Sequence, residues 1–280
     1  MIDEYLKKFC ENAKINVIDI GCSGNSVKEV IKNQEVYYIK ESKFGNLDKE
    51  YFINNYLKGK LPVPEVIYFG SNENKSVMIT KKLDGEMICC DEIFDDMKHV
   101  VELASKAIKI LQNVNVDNLI INNDLNKKLA LVKYNIDNGL ISSNDMTEEN
   151  QKRFGNLENL YNYLINNKVT ENNLCLSHGD LSIPNVFYKD DKITGFLDLG
   201  DAGIADMWYD IAILVKSLRR NYETKEAEKY LFECLHIEPD YEKIEYYILL
   251  TELFSHLMIE MVERLDLVEE YILIVSLVSI

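Results

Sequence analysis

The spacing of apolar and polar positions changes about eighty residues into the chain. Before that point short apolar runs alternate with polar breaks, and Asn16–Ile20, Ser26–Lys32 and Val36–Lys40 read as strands, with 21–24 and Asn33-Gln34 as turns. Leu47, Tyr51, Phe52, Asn55 and Tyr56 then share one helical face over 47–57. The Leu61-Pro-Val-Pro64 block ends that helix, because proline fixes its own φ and restricts its predecessor. Val66–Phe69 and Val77–Thr80 complete a small antiparallel sheet carrying one helix. From about residue 95 the spacing predicts helices over 95–113, 123–138, 156–167, 206–219, 224–235 and 240–265. Only Cys175–Ser177, Val186–Lys189 and Thr194–Asp198 interrupt them as short strands. The expected class is α+β, with a sheet lobe over 1–83 and a mainly helical lobe over 84–280 that ends in an extra helical tail, 255–280. The chain should cross between lobes near Lys81 to Gly85.

Composition narrows the partners. The 280 residues carry 47 acidic and 31 basic side chains, a net charge of −16. Such a surface repels nucleic acid and anionic membrane and attracts cationic ligands, although an acidic balance by itself also serves solubility. Six cysteines, at 10, 22, 89, 90, 175 and 234, form no Cys-x-x-Cys pair, and with four histidines a zinc site is not expected. The N-terminal MIDEYLKKFCENAK lacks a signal peptide's apolar stretch. The longest apolar run, Tyr271 to Ile280, is far short of the ~20 residues of a membrane helix. Free thiols and no export signal point to the cytoplasm.

Candidate chemistry concentrates between Leu176 and Asp210. His178-Gly-Asp180 is followed by Asn185, and Asp198-Leu-Gly200 begins eighteen residues after Asp180. Between them Val186–Lys189, a turn at Asp190-Asp191 and Ile193–Leu197 read as a hairpin, which returns Asn185 and Asp198 to one edge. Asp190 and Asp191 serve as turn formers. The other three acid or amide positions suit phosphoryl transfer. Magnesium takes hard oxygens and few protein groups, which fits Asn185 and Asp198 as its ligands. Asp180, on a loop, fits the base that orients an incoming hydroxyl and accepts its proton.

These blocks resemble the catalytic region of the aminoglycoside phosphotransferase family, especially the 3′-hydroxyl type, which has a bilobal protein-kinase-like fold. Trp208-Tyr-Asp-Ile-Ala212, Lys216-Ser-Leu-Arg219, Tyr246-Tyr-Ile-Leu-Leu250 and Glu252-Leu-Phe254 also agree, so the resemblance runs from about Ile15 to Phe254. It implies Asp180 as base, Asn185 and Asp198 on Mg2+, and ATP or GTP as phosphate donor. It further implies Lys40 as a point charge on the nucleotide phosphates, with Glu50 holding it. The loop 21–26 would cradle the triphosphate through Ser23 and Gly24, and Thr80–Leu83 would offer backbone groups of Lys81 and Leu83 to the base.

On the acceptor side the resemblance implies carboxylates at Asp145, Glu148, Glu149 and Glu252, although Asp145, Glu148 and Glu149 also suit a helix start. The chain departs from the family at three places. Asp201 stands where the family is often basic, Thr251 stands where a terminal Asp-Glu-Leu-Phe block would have its aspartate, and 26 residues follow Phe254. The expected activity is Mg-dependent transfer of the γ-phosphate to an aminoglycoside hydroxyl. The alternatives are a kinase of this fold acting on another small cationic molecule or metabolite, choline-like or another antibiotic, and a non-catalytic nucleotide-binding protein.

Overall fold

The computed structural model describes residues 2–18, 26–117, 119 and 121–254. Its contacts divide the chain into two units, Met1–Tyr56 with Pro64–Lys82 and Leu57–Val63 with Leu83–Phe254.

The first unit begins with a helix, α1 (Ile2–Cys10), that the reading of the charged N-terminus did not anticipate. Ile2, Leu6 and Phe9 fall at i, i+4 and i+7, and this stripe packs on Val30, Ile39, Val77 and Ile79. Those four side chains come from a five-stranded antiparallel sheet of β1 (Lys14–Ile18), β2 (Ser26–Lys32), β3 (Glu35–Lys43), β4 (Val66–Ser71) and β5 (Lys75–Lys81), ordered β1-β2-β3-β5-β4. The expected strand over 16–20 is thus found at 14–18, and residues 19–25, including the loop with Ser23 and Gly24, lie outside the described residues. The β2–β3 turn is two residues long because Lys32 pairs with Glu35, and Asn33 and Gln34 both take the positive φ such a turn requires. Helix α2 (Asp48–Leu57) follows β3, and its Tyr51 stacks on Phe69 of β4 at 4.2 Å between ring centroids.

The second unit contains β6 (Glu86–Met87), α3 (Asp91–Phe94), α4 (Met97–Gln112), α5 (Leu125–Asp137), α6 (Glu148–Phe154) and α7 (Leu157–Asn166). It continues through β7 (Leu174–Ser177), β8 (Val186–Lys189), β9 (Lys192–Phe196), β10 (Gly203–Asp206), α8 (Met207–Tyr222), α9 (Lys225–Leu235) and α10 (Tyr241–Thr251). The expected helix over 95–113 divides at Asp96, whose side chain accepts from the His99 amide and starts α4. The expected helix over 240–265 is observed as α10, and its remainder past 254 lies outside the described residues. Helix α8 lies deep in this core, with Ile211, Ala212, Leu214, Val215 and Leu218 all buried. No helix among the described residues is long and apolar enough to cross a membrane.

The start of α8 is fixed by a buried ion pair. Asp206 is fully buried, caps α8 through the Trp208 amide, and accepts from Lys243 Nζ of α10 at 2.6 Å. Removing one partner would strand the other charge in the core. Lys243→Ala should therefore lower unfolding free energy by about 3 kcal/mol, measured by urea denaturation. A variant with an unchanged midpoint would show the pair to be dispensable.

Candidate active site

Strands β8 and β9 pair from Val186↔Phe196 to Lys189↔Lys192, closed by Asp190 and Asp191 at positive φ. One more rung, Leu197 N–H to the Asn185 carbonyl at 2.9 Å, brings Asn185 and the residue before Asp198 together at the open end. Strand β9 stops at Phe196, two residues before the expected end, and Asp198 leaves the ladder in the left-handed region (φ 53°, ψ 57°). A non-glycine residue held there is over-determined by its surroundings, a pattern common where a side chain must be aimed. The turn Leu199–Asp201 follows, and β10 then pairs antiparallel with β7, Gly203 opposite Ser177. That pairing draws the segment after Asp198 against the segment before Asp180.

The two loops touch at Gly179. Its φ is +86°, and a Cβ there would lie 2.2 Å from the Asp201 carbonyl oxygen, so both backbone conformation and space demand glycine. Asp180 is anchored by its own main chain: its carbonyl accepts from Ser182 N–H (2.8 Å) and from Asn185 Nδ2 (2.9 Å). The same Nδ2 donates to Asp180 Oδ2 at 3.1 Å. With the Asn185 amide nitrogen committed to Asp180, its Oδ1 is presented as an acceptor. A neutral oxygen at Asn185 and a charged one at Asp198, at one hairpin end, form a hard donor set that suits a magnesium ion.

Asp210, on the first turn of α8, holds the loop from beneath, and the sequence reading did not assign it a role. Its Oδ1 accepts from Ser177 Oγ (2.9 Å) and Gly179 N–H (3.1 Å), and its Oδ2 from His178 N–H (2.7 Å). Burial raises its carboxyl above the ordinary range, and His178 together with these donors pulls the other way. The available signal was one carboxylate inside the apolar run Met207–Val215. Farther along α8, Ser217 Oγ accepts from Ile183 N–H at 3.3 Å. The neighbouring Cys175 is no nucleophile at neutral pH, since burial pushes its thiol up to about 12.

In the first unit Lys40, on β3 between Val27 and Met78, meets Glu50 of α2 at 2.8 Å. The pair is largely shielded, its side chains 18% and 10% exposed, which strengthens it relative to a surface pair. Lys81 ends β5 with its N–H on the Glu65 carbonyl and its ammonium on Glu35, so neither of these donors is open to a base. In the second unit the Leu83 side chain fills the space that Gly195 leaves, since a Cβ at 195 would lie 2.3 Å from Leu83 Cδ1.

The acceptor-side carboxylates separate into three kinds. Asp145 closes a capping box with Ser142, accepting its N–H at 2.6 Å. Glu148 and Glu149 stand exposed in the first turn of α6, where they complement the helix dipole. Glu252 is buried and accepts from Thr147 N–H (3.2 Å), Thr147 Oγ1 (3.1 Å) and Asn150 Nδ2 (2.7 Å). It ties the start of α6 to the end of α10.

The chain is similar to known phosphotransferases. Residues 41–247 match the phosphotransferase enzyme family. An aminoglycoside 3′-phosphotransferase of Enterococcus faecalis is 34% identical over 261 residues, 90% of this chain and 98% of that protein. One from Staphylococcus aureus is 33% identical over 260 residues, with the same two coverages. Among solved structures, an aminoglycoside 3′-phosphotransferase of type VIII superposes with a TM-score of 0.76 at 22% identity, covering 90% of this chain and 98% of that one. A Streptomyces rimosus aminoglycoside phosphotransferase in complex with ADP and streptomycin gives 0.70 at 19% identity, covering 90% and 99%. The expected α+β fold, a sheet lobe and a helical lobe, is the fold observed.

Proposed function

Because the chain belongs to the phosphotransferase enzyme family, we propose that it moves the γ-phosphate of ATP or GTP onto the 3′-hydroxyl of an aminoglycoside. The observation that carries this reading is the bonding of Asn185 to both oxygens of Asp180 that it reaches, carbonyl and carboxylate, at the hairpin end that also bears Asp198.

The transition state of phosphoryl transfer is loose, so the protein's work is positioning and charge neutralisation. Asp180 accepts a hydrogen bond from the attacking hydroxyl, sets its direction, and takes its proton late as the new oxygen–phosphorus bond forms. Asn185, through Nδ2, keeps that carboxylate oriented, and its Oδ1 together with Asp198 would hold Mg2+. The ion supplies neutralisation of phosphate charge when bound. Lys40, oriented by Glu50, neutralises donor phosphate oxygens. The net charge of −16 draws a polycationic acceptor from solution. The free thiols described, Cys10, Cys89, Cys90, Cys175 and Cys234, suit a reducing cytoplasm, where the antibiotic acts and where modification confers resistance.

Lys40→Ala should raise the KM for nucleotide about tenfold with a smaller change in kcat, from the loss of one charge-assisted contact. Initial rates across nucleotide concentrations check this, and an unaltered KM would remove Lys40 from the donor site. The whole reading is tested by a coupled nucleotide-turnover panel of purified protein with ATP and with GTP across aminoglycosides, choline and amino sugars. Acceleration by aminoglycosides is expected. Acceleration by choline or an amino sugar alone would transfer the assignment to a metabolite kinase.

A further inference from the structure

Lys216 is a cation for which the mechanism above has no use. It lies on α8, half-buried, and donates to Thr251 Oγ1 at 2.8 Å. That hydroxyl gives its own hydrogen to the Ile248 carbonyl at 2.7 Å, so its oxygen is fixed as an acceptor for Lys216. On one side the next residue, Ser217, holds Ile183 of the Asp180 loop, and on the other Thr251 adjoins Glu252. One stretch of α8 thus carries both the ammonium bonded to the residue before Glu252 and the hydroxyl that holds the Asp180 loop. Burial lowers the pKa of Lys216, while Glu252 and Asp180 oppose that shift by their charge and Arg220, one turn on, adds to it. Thr251 accepts the hydrogen bond but brings no negative charge.

We propose that Lys216 is a specificity-determining residue: its ammonium, anchored on Thr251 next to Ser217, which holds the Asp180 loop, disfavours acceptors with a second cation next to the reacting hydroxyl. The inference rests on the functional reading above. Like charges within several ångströms repel in a partly shielded site, and removal of one changes relative affinity about fivefold.

Kanamycin A and kanamycin B form the matched pair, with a hydroxyl and an ammonium respectively at carbon 2′ beside the 3′-hydroxyl. The quantity to measure is the ratio of kcat/KM for kanamycin B over kanamycin A. Lys216→Met should raise this ratio about fivefold, mostly through KM, whereas Lys216→Arg should leave it within about twofold. Thr251→Asp, which pairs the ammonium with a carboxylate, should move it in the same direction as Lys216→Met. A general loosening of the fold would affect both kanamycins alike, so the ratio isolates the charge. An unchanged ratio in Lys216→Met and Thr251→Asp overturns the inference, as does an equal rise in Lys216→Arg. Absence of turnover of both kanamycins by the unaltered chain overturns the functional reading, and this inference with it.

Discussion

Asp180→Ala should lower kcat for aminoglycoside phosphorylation by about 10³-fold, within the range that a positioned base contributes, while nucleotide affinity stays within about twofold. The loop should survive the change, because Asp180 is held through its carbonyl by Ser182 and Asn185 and not through its carboxylate alone. Asn185 keeps that carbonyl as partner and loses only the 3.1 Å bond to Oδ2. Steady-state rates at saturating acceptor, with calorimetry of nucleotide binding, separate the two effects. A variant of full activity would leave Asp180 without a part in the reaction. A variant that no longer binds nucleotide would mean that the side chain organises the donor site.

The second large effect is expected far from any reactant. Asp210→Ala should lower the unfolding free energy by about 4 kcal/mol, because in a dry interior the Ser177 hydroxyl and the His178 amide would lose their acceptor and the Gly179 amide would keep only Ser177 Oγ at 3.1 Å. The loop carrying Asp180 loses its support at the same time. Asp210→Asn keeps one oxygen and should fall between the two. Urea unfolding followed by circular dichroism reads the stability, and turnover below the transition reads the loop. A stable Asp210→Ala variant with full turnover would show that β7 and β10 alone hold the loop in place.

Much of this arrangement was legible in the sequence. Two-residue turns are written in local chemistry, and Asn33, Asp190 and Asp191 took the left-handed conformation that short polar side chains tolerate, with Gln34 following Asn33 into it. The second of these closes a hairpin whose ends follow from counting, which is why the proximity of Asn185 and Asp198 could be foreseen. The meeting of Lys40 and Glu50 followed from a strand-then-helix order and the family resemblance.

What escaped the reading depends on distant partners. Strand β10 has four residues and exists because it pairs with β7, some thirty positions earlier, while its last residue already caps α8. Asp198 looks like the end of a strand, and its left-handed backbone is imposed by the turn that leads to β10. The stripe of α1 was hidden by the charges around it. Asp210 reads as an ordinary polar interruption until the three donors above it are seen. The acceptor-side acids show the same limit in reverse. Asp145 and Glu252 have suitable chemistry for a cationic ligand, yet both already accept hydrogen bonds from the protein. They position the segment around α6, and Glu148 and Glu149 are the exposed carboxylates nearby.

The central claim is transfer of phosphate to one hydroxyl of an aminoglycoside. Its most direct test is nuclear magnetic resonance of the product formed from kanamycin A, Mg2+ and ATP or GTP by the purified chain. The account predicts a single phosphomonoester whose phosphorus couples to the proton on carbon 3′. A phosphate on any other carbon, or unmodified kanamycin after prolonged incubation with both nucleotides, would contradict it.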